Sequence, residues 1–302
     1  MSIIPIKNLI DDNINIILEC ASRDGATMYA ATLYNQKNLF SSGGFKIKAD
    51  FQRNEMLDFV KRNNDTVKSK SVRYYHAKLS LKTPQLVTGR GLDITLVDRP
   101  SVDYSFLLDR DFSMEKYKAQ IDLMLNKYSR NAIIQLIDIN AIISECPAVL
   151  PSVCTPERCK ACRYSKGKMY QQNHNRSAVK NRLRSVIDIA SNTKTPLAIL
   201  ITHCASNKSE NAKIAKEVIE GFLVDMGVKN PPNIYFTDGL LYDMCFDSMN
   251  PASALLDVIS QVLRKSSMRY KGALHQAVFG SDVGTAINIT NKIENYLEKN
   301  SR

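Results

Sequence analysis

With 302 residues, 44% of them hydrophobic, the chain can build one large α/β domain or two small ones, which excludes wholesale disorder. No apolar run approaches the roughly 18–20 residues a membrane helix needs. The opening stretch MSIIPIKNLIDDNINIILEC lacks a basic n-region and a small-residue cleavage site, so no secretory signal is expected and the cytoplasm is the default. The net charge of +11 is uneven: nine Lys/Arg and no Asp/Glu fall between Arg158 and Arg184.

Taken in chain order, the apolar run at 14–19 (Ile14, Ile16, Ile17, Leu18) predicts a buried strand. A turn-like stretch from Ala21 to Gly25 follows, then a helix over Thr27–Asn35 whose small residues permit close packing. Ser41–Gly44 reads as a break, and Asp50–Arg62 has helical spacing at Phe51, Met56, Leu57 and Val60. Alternation at 72–81 predicts a half-exposed strand, and 92–97 a further strand ending at Asp98-Arg99-Pro100. Residues 113–127 read as a helix and 131–139 as a near-continuous apolar strand. Order resumes after residue 175 with a helix at 178–190, a strand at 197–201, a helix at 211–226, a short strand at 234–237 and a helix at 251–264. Strands alternating with helices at this spacing predict a mainly parallel sheet with helices on both faces. The wholly apolar runs at 133–137 and 197–201 suit interior strands.

A strand, a glycine-containing turn and a helix opening on threonine is the setting of a phosphate-binding loop, G-x-x-x-x-G-K-[ST]. The window here is Cys20-Ala-Ser-Arg-Asp-Gly25-Ala26-Thr27. The second glycine and the threonine are present; Cys20 stands where the first glycine would curl the backbone, and Ala26 where lysine would neutralise phosphate charge. Arg23 could restore some positive charge from another direction, whereas Asp24 adds a negative one. An ordinary strand-turn-helix would show the same Gly-x-Thr.

The order of the later segments carries more. Ala26-Thr27-Met28-Tyr29-Ala30-Ala31-Thr32-Leu33 resembles a phosphate loop ending K-T-T-Y-L-A-A-L. Ile94-Thr95-Leu96-Val97-Asp98-Arg99-Pro100-Ser101 resembles a strand followed by D-x-P-G. Pro196-Leu197-Ala198-Ile199-Leu200-Ile201-Thr202-His203-Cys204-Ala205 resembles a guanine-reading P-L-A-V-V-I-T-K-C-D. In these landmarks, over roughly residues 14–265, the chain resembles the TRAFAC-class GTPases of bacterial multi-gene conflict systems, the double-GTPase group among them. The resemblance implies a P-loop NTPase-like domain over 1–265; the stretch at 146–175, without clear period, reads as an insertion, and 266–302 as a C-terminal linker and helix. It implies a degenerate nucleotide site at Gly25, Thr27, Asp98 and Thr202, in which Asp98 would contact magnesium through water and Thr27 could hold it. The departures fall on positions that would face nucleotide: Cys20, Ala26, Ser101, His203 and Ala205. GTP with magnesium is therefore not expected to be hydrolysed, and no catalytic residue is assigned. The expectation is a pseudo-GTPase subunit acting by contacts with other proteins of such a system, an active GTPase among them. An atypical nucleotide-binding GTPase is the alternative.

The insertion carries Cys146-x7-Cys154-x4-Cys159-x2-Cys162, four of the seven cysteines. Four thiolates can close a tetrahedral zinc site, with His174 a substitute ligand; reduced cysteines lining a loop are the other reading. The overlapping basic residues Arg158, Lys160, Arg163, Lys166, Lys168, Arg176, Lys180, Arg182 and Arg184 are expected on the surface. They could meet a protein partner, or nucleic acid with Tyr164 and Tyr170 stacking on bases. No membrane partner is expected. The histidines, His76 and His203 among them, join no recognisable nucleophile arrangement and are read as satisfied surface or core residues.

Overall fold

The computed structural model describes residues 13–20, 25–36, 38–42, 45–63, 72–82, 92–99, 130–143, 176–204, 209–237 and 251–265, with helical residues also at 119, 121, 122 and 125. An eight-stranded sheet organises them. Strand β1 (Ile14–Glu19) lies at its centre and leads into helix α1 (Ala26–Asn35). The chain then forms β2 (Asn38–Ser42), β3 (Phe45–Phe51), helix α2 (Glu55–Asn63), β4 (Arg73–Lys82) and β5 (Leu92–Asp98). After β6 (Asn131–Asp138) come a short helix α3 (Ile139–Ile143), α4 (Arg176–Asn192), β7 (Leu197–Thr202), α5 (Ser209–Asp225), β8 (Asn233–Phe236) and α6 (Ala252–Lys265).

The strand order is β2-β3-β4-β5-β1-β6-β7-β8. Strands β5, β1, β6, β7 and β8 run parallel, and β2, β3 and β4 join as an antiparallel wing. β1 and β7 are buried along their whole length, and β6 over its six central residues. Parallel strands covered on both faces read as continuous apolar runs for this reason. Side chains alternate across the sheet. Ile14, Ile16 and Leu18 of β1 enter a core shared with α1, α2 and α6, while Ile17 enters a second core with α3, α4 and α5. This is a mainly parallel α/β sheet with helices on both faces.

Two local readings of the sequence are corrected. The span from Asp50 to Arg62 is not one helix: Asp50 and Phe51 complete β3, and α2 begins only at Glu55. Asn54 starts it, its Oδ1 accepting the Met56 and Leu57 N–H groups at 3.0 and 3.2 Å. Ser41 and Ser42 of the expected break belong to β2, paired with Lys46 and Phe45 of β3, in which Phe45, Ile47, Ala49 and Phe51 recur at every second position. The insertion at 146–175 and the tail at 266–302 lie outside the described residues.

Candidate functional site

The C-terminal ends of the parallel strands carry the polar groups, the edge at which open α/β sheets place ligands. Helix α1 opens there on Gly25, whose φ of 87° and ψ of 27° lie in the left-handed region. A side chain at Gly25 would be strained in that conformation. The Gly25 carbonyl accepts the Tyr29 N–H at 2.7 Å, closing the first helical turn, and among the described residues no side chain caps that end of the helix.

Thr27, in that first turn, donates its hydroxyl to Asp98 Oδ2 at 2.7 Å. The same oxygen accepts the Tyr75 hydroxyl at 3.1 Å. Register explains the meeting: Leu18 pairs with Asp98, so the carboxylate leaves the sheet on the face that α1 covers, and Arg73 of β4 stands opposite it. Burial is the strongest influence on the Asp98 carboxyl and pushes it above the ordinary carboxylate range. The Thr27 and Tyr75 hydroxyls and the Arg73 charge only partly offset that. Burial likewise pushes the Tyr75 phenol up, and the Asp98 charge adds to it.

Ala26 is 5% exposed. One residue along from Leu18 and Asp98, on the other face, Glu19 and Arg99 form a buried ion pair at 2.6 Å. Gln135 Nε2 donates to the Glu19 carbonyl at 3.1 Å and ties this pair to β6.

On the far side of β1 the ends of β6 and β7 bring together Asp138, Thr202 and His203. His203 holds a left-handed backbone, φ 60°. Its Nδ1 lies 3.2 Å from Thr202 Oγ1 and 3.6 Å from Asp138 Oδ1. The ring stands near Gly25: a Cβ added there would meet His203 Cε1 at 3.5 Å and Nε2 at 3.8 Å. Asp138 also accepts the Asn140 N–H and side-chain amide, both at 2.9 Å. Burial alone would raise the Asp138 carboxyl; the bond and charge of His203 and the two Asn140 donors outweigh it and hold the group below its ordinary value. Cys204 is buried, its thiol turned to the Ile201 carbonyl at 3.4 Å.

The four residues expected at a degenerate site therefore share one edge: Gly25 and Thr27 on α1, Asp98 bonded to Thr27, and Thr202 bonded to the histidine that packs on Gly25. Sequence reading did not assign Tyr75, Arg73, Glu19, Arg99 or Asp138 to the site, and gave His203 only as a departure at a position that would face nucleotide. The parity of β4 could have found Tyr75, since it alternates with Ala77 and Leu79 toward the core. Residues Ser22, Arg23, Asp24, Ser101 and Ala205 lie outside the described residues.

The expected basic surface needs one correction. Arg182 is 2% exposed and belongs to the interior. The buried stripe of α4 runs through Val179, Leu183, Val186 and Ala190, and helical spacing sets position 182 beside it. Lys180 is paired with Asp225 at 2.6 Å and lies 5.5 Å over the Phe222 ring. Arg176 donates Nε to the Ile142 carbonyl at 2.5 Å, and Arg184 is exposed. Arg158, Lys160, Arg163, Lys166, Lys168 and the cysteines Cys146, Cys154, Cys159 and Cys162 lie outside the described residues. Among the described residues no three metal-ligating side chains cluster, and no helix is long and apolar enough to cross a membrane.

No protein-family model and no curated protein matches the sequence. Solved structures with partial similarity include a bacterial selenocysteine-specific elongation factor EF-Sec, at 14% identity and TM-score 0.40. That match covers 85% of this chain and 30% of that one, so the chain spans under a third of that protein. Others are a nucleolar GTP-binding protein 1 from Plasmodium falciparum, at 15% identity and TM-score 0.33 over 83% of this chain and 87% of that one, and the signal recognition particle receptor SRb-GTP/SRX complex from Chaetomium thermophilum, at 13% identity and TM-score 0.37 over 78% of this chain and 94% of that one. Likeness at this level adds no weight of its own. The fold rests on the parallel order β5-β1-β6-β7-β8, with a glycine-led helix leaving the central strand.

Proposed function

We propose that this chain is a GTPase-like subunit that does not turn over GTP and works through contacts with other proteins. The observation that carries the reading is Ala26. A phosphate loop needs a long cation at that position, and Ala26 is a buried methyl, 5% exposed. Arg99, one residue past Asp98, does not replace it, because its charge is spent on Glu19 on the opposite face of the sheet. Thr27 and Asp98, the oxygens that would serve magnesium, are bonded to one another, and Tyr75 takes up the same carboxylate oxygen. On this reading the pair fastens α1 to β5 and the site has become structural.

The resemblance to the double-GTPase group supports a place in a bacterial multi-component defence system beside an active GTPase; the basic insertion at 146–175, whose four cysteines could hold zinc, would be the contacting surface. The retained Thr27–Asp98 pair favours a second reading, an atypical nucleotide-binding GTPase. Calorimetry with GTP, GDP and ATP in magnesium separates them. The proposal expects no saturable heat with any nucleotide; tight, magnesium-dependent binding accompanied by turnover overturns it.

A further inference from the structure

Asp138, Thr202 and His203 meet at the ends of β6 and β7 in an arrangement that neither reading uses. His203 Nδ1 stands 3.2 Å from Thr202 Oγ1 and 3.6 Å from Asp138 Oδ1. The Thr202 hydroxyl donates to the Ile137 carbonyl at 3.4 Å, which leaves its oxygen to accept. Asp138 is charged: its Oδ1 takes two Asn140 donors at 2.9 Å, and its carboxyl is held below the ordinary value. Nδ1 therefore faces two acceptors and carries the ring proton, and the lone pair belongs to Nε2. Thr202 is buried and Asp138 is 17% exposed, whereas the His203 side chain is 37% exposed. A carboxylate behind one ring nitrogen makes the other a better nucleophile, because it offsets the positive charge that the ring takes on when Nε2 forms a bond.

We propose that His203 Nε2 is a phosphoryl-acceptor site, with Asp138 as its positioning residue. A Cβ at Gly25 would lie 3.8 Å from Nε2, so a group carried on that nitrogen stands beside the start of α1. The first turn of this ten-residue helix favours negative charge. An acyl group gains nothing from that neighbour, and a phosphoryl group does. The donor is of the phosphoramidate class, in which phosphorus is bonded to nitrogen. Nε2 attacks the phosphorus, the donor's P–N bond breaks, and the amine leaves with the electron pair. The ring keeps its Nδ1 proton, and the positive charge so produced faces Asp138. Both side chains lie partly in solvent, so the help from Asp138 is modest.

His76 provides a comparison within the same molecule: it is exposed, and its Nδ1 meets a neutral partner, the Thr95 hydroxyl, at 2.8 Å. The full-length protein is incubated with potassium phosphoramidate at about pH 8, where imidazoles are neutral, and phosphohistidine is mapped and timed by mass spectrometry in alkaline solution. His203 should label roughly threefold to fivefold faster than His76, the effect of a partly exposed ion pair on the charged ring. Asp138→Asn should bring His203 down to about the His76 rate. His203→Asn, which tolerates the left-handed backbone at φ 60°, should remove that label alone. Labelling of His76 should stay unchanged in both variants, which controls for folding; should a variant unfold, the wild-type ratio of the two histidines decides. No label at His203, equal rates at the two histidines in the wild type, or an undiminished His203 rate in folded Asp138→Asn overturns the proposal.

Discussion

Replacing Arg99 with methionine should destabilise the protein by about 3–5 kcal/mol, the cost of leaving a buried charge without its partner. The magnitude follows from burial. Glu19 is 2% exposed, Arg99 is 7% exposed, and their atoms meet at 2.6 Å, so solvent screening takes little from the interaction. Gln135 cannot compensate, since its amide reaches the Glu19 main-chain carbonyl and not the carboxylate. The double variant Glu19→Gln/Arg99→Met removes both charges and should recover much of the loss, leaving a deficit of about 1–2 kcal/mol, because the desolvation cost goes with the charges. Urea unfolding followed by circular dichroism reads both, and the single variant should lower the midpoint by roughly 1–2 M. The midpoint difference should barely change between low and high salt. A loss under about 1 kcal/mol in Arg99→Met, or a double variant less stable than the single, would refute the claim that this pair is buried and coupled.

Asp98→Asn tests the companion site. Burial raises the Asp98 carboxyl in the folded state, so its contribution to stability is complete below the ordinary carboxylate value and is lost as pH rises through the raised folded value. The asparagine oxygen still accepts from Thr27 and Tyr75, so the variant should lie within about 1 kcal/mol of wild type at neutral pH, and this part of the pH dependence should vanish from thermal melts. Asp138 behaves oppositely. Its carboxyl is held low, so its contribution is present above the ordinary carboxylate value and lost as pH falls through the lower folded value; Asp138→Asn should be less stable than wild type at pH 7 and equal to it in strong acid. Gly25→Ala should cost about 1–2 kcal/mol, seen as a lower melting temperature, through strain at φ 87° and not crowding, as the nearest outside atom is 3.5 Å away. Tyr29→Phe leaves the buried Pro251 carbonyl without its 2.8 Å partner and should cost about 1–3 kcal/mol in the same melts.

The core of the fold was legible because β1, β6 and β7 are covered on both faces, and burial on both faces leaves an unbroken apolar run in the sequence. The wing was harder. On β3 the buried Ile47 and Ala49 alternate with half-buried Lys48 and exposed Asp50, and Asp50 and Phe51 imitated the start of a helix because Phe51, Met56, Leu57 and Val60 happen to fall at helical spacing. The site divided along the same line. Gly25, Thr27 and Asp98 declare themselves through spacing to a strand end, a local property. Glu19 and Arg99 are 80 residues apart, and Asp138 ends β6 while His203 follows β7. Only the parallel register brings such residues together, and no window along the chain contains it. Arg182 shows the reverse error: a charged residue in a basic run was read as surface, while the helical spacing that buries it was already present in Val179, Leu183 and Val186.

The proposal that this chain keeps a nucleotide scaffold without its chemistry is tested most directly by phosphate release under multiple turnover at millimolar GTP with magnesium. The account predicts release no faster than from GTP without protein, unchanged by Thr27→Ala or Asp98→Ala. A magnesium-dependent rate above that background, abolished by either substitution, would contradict it.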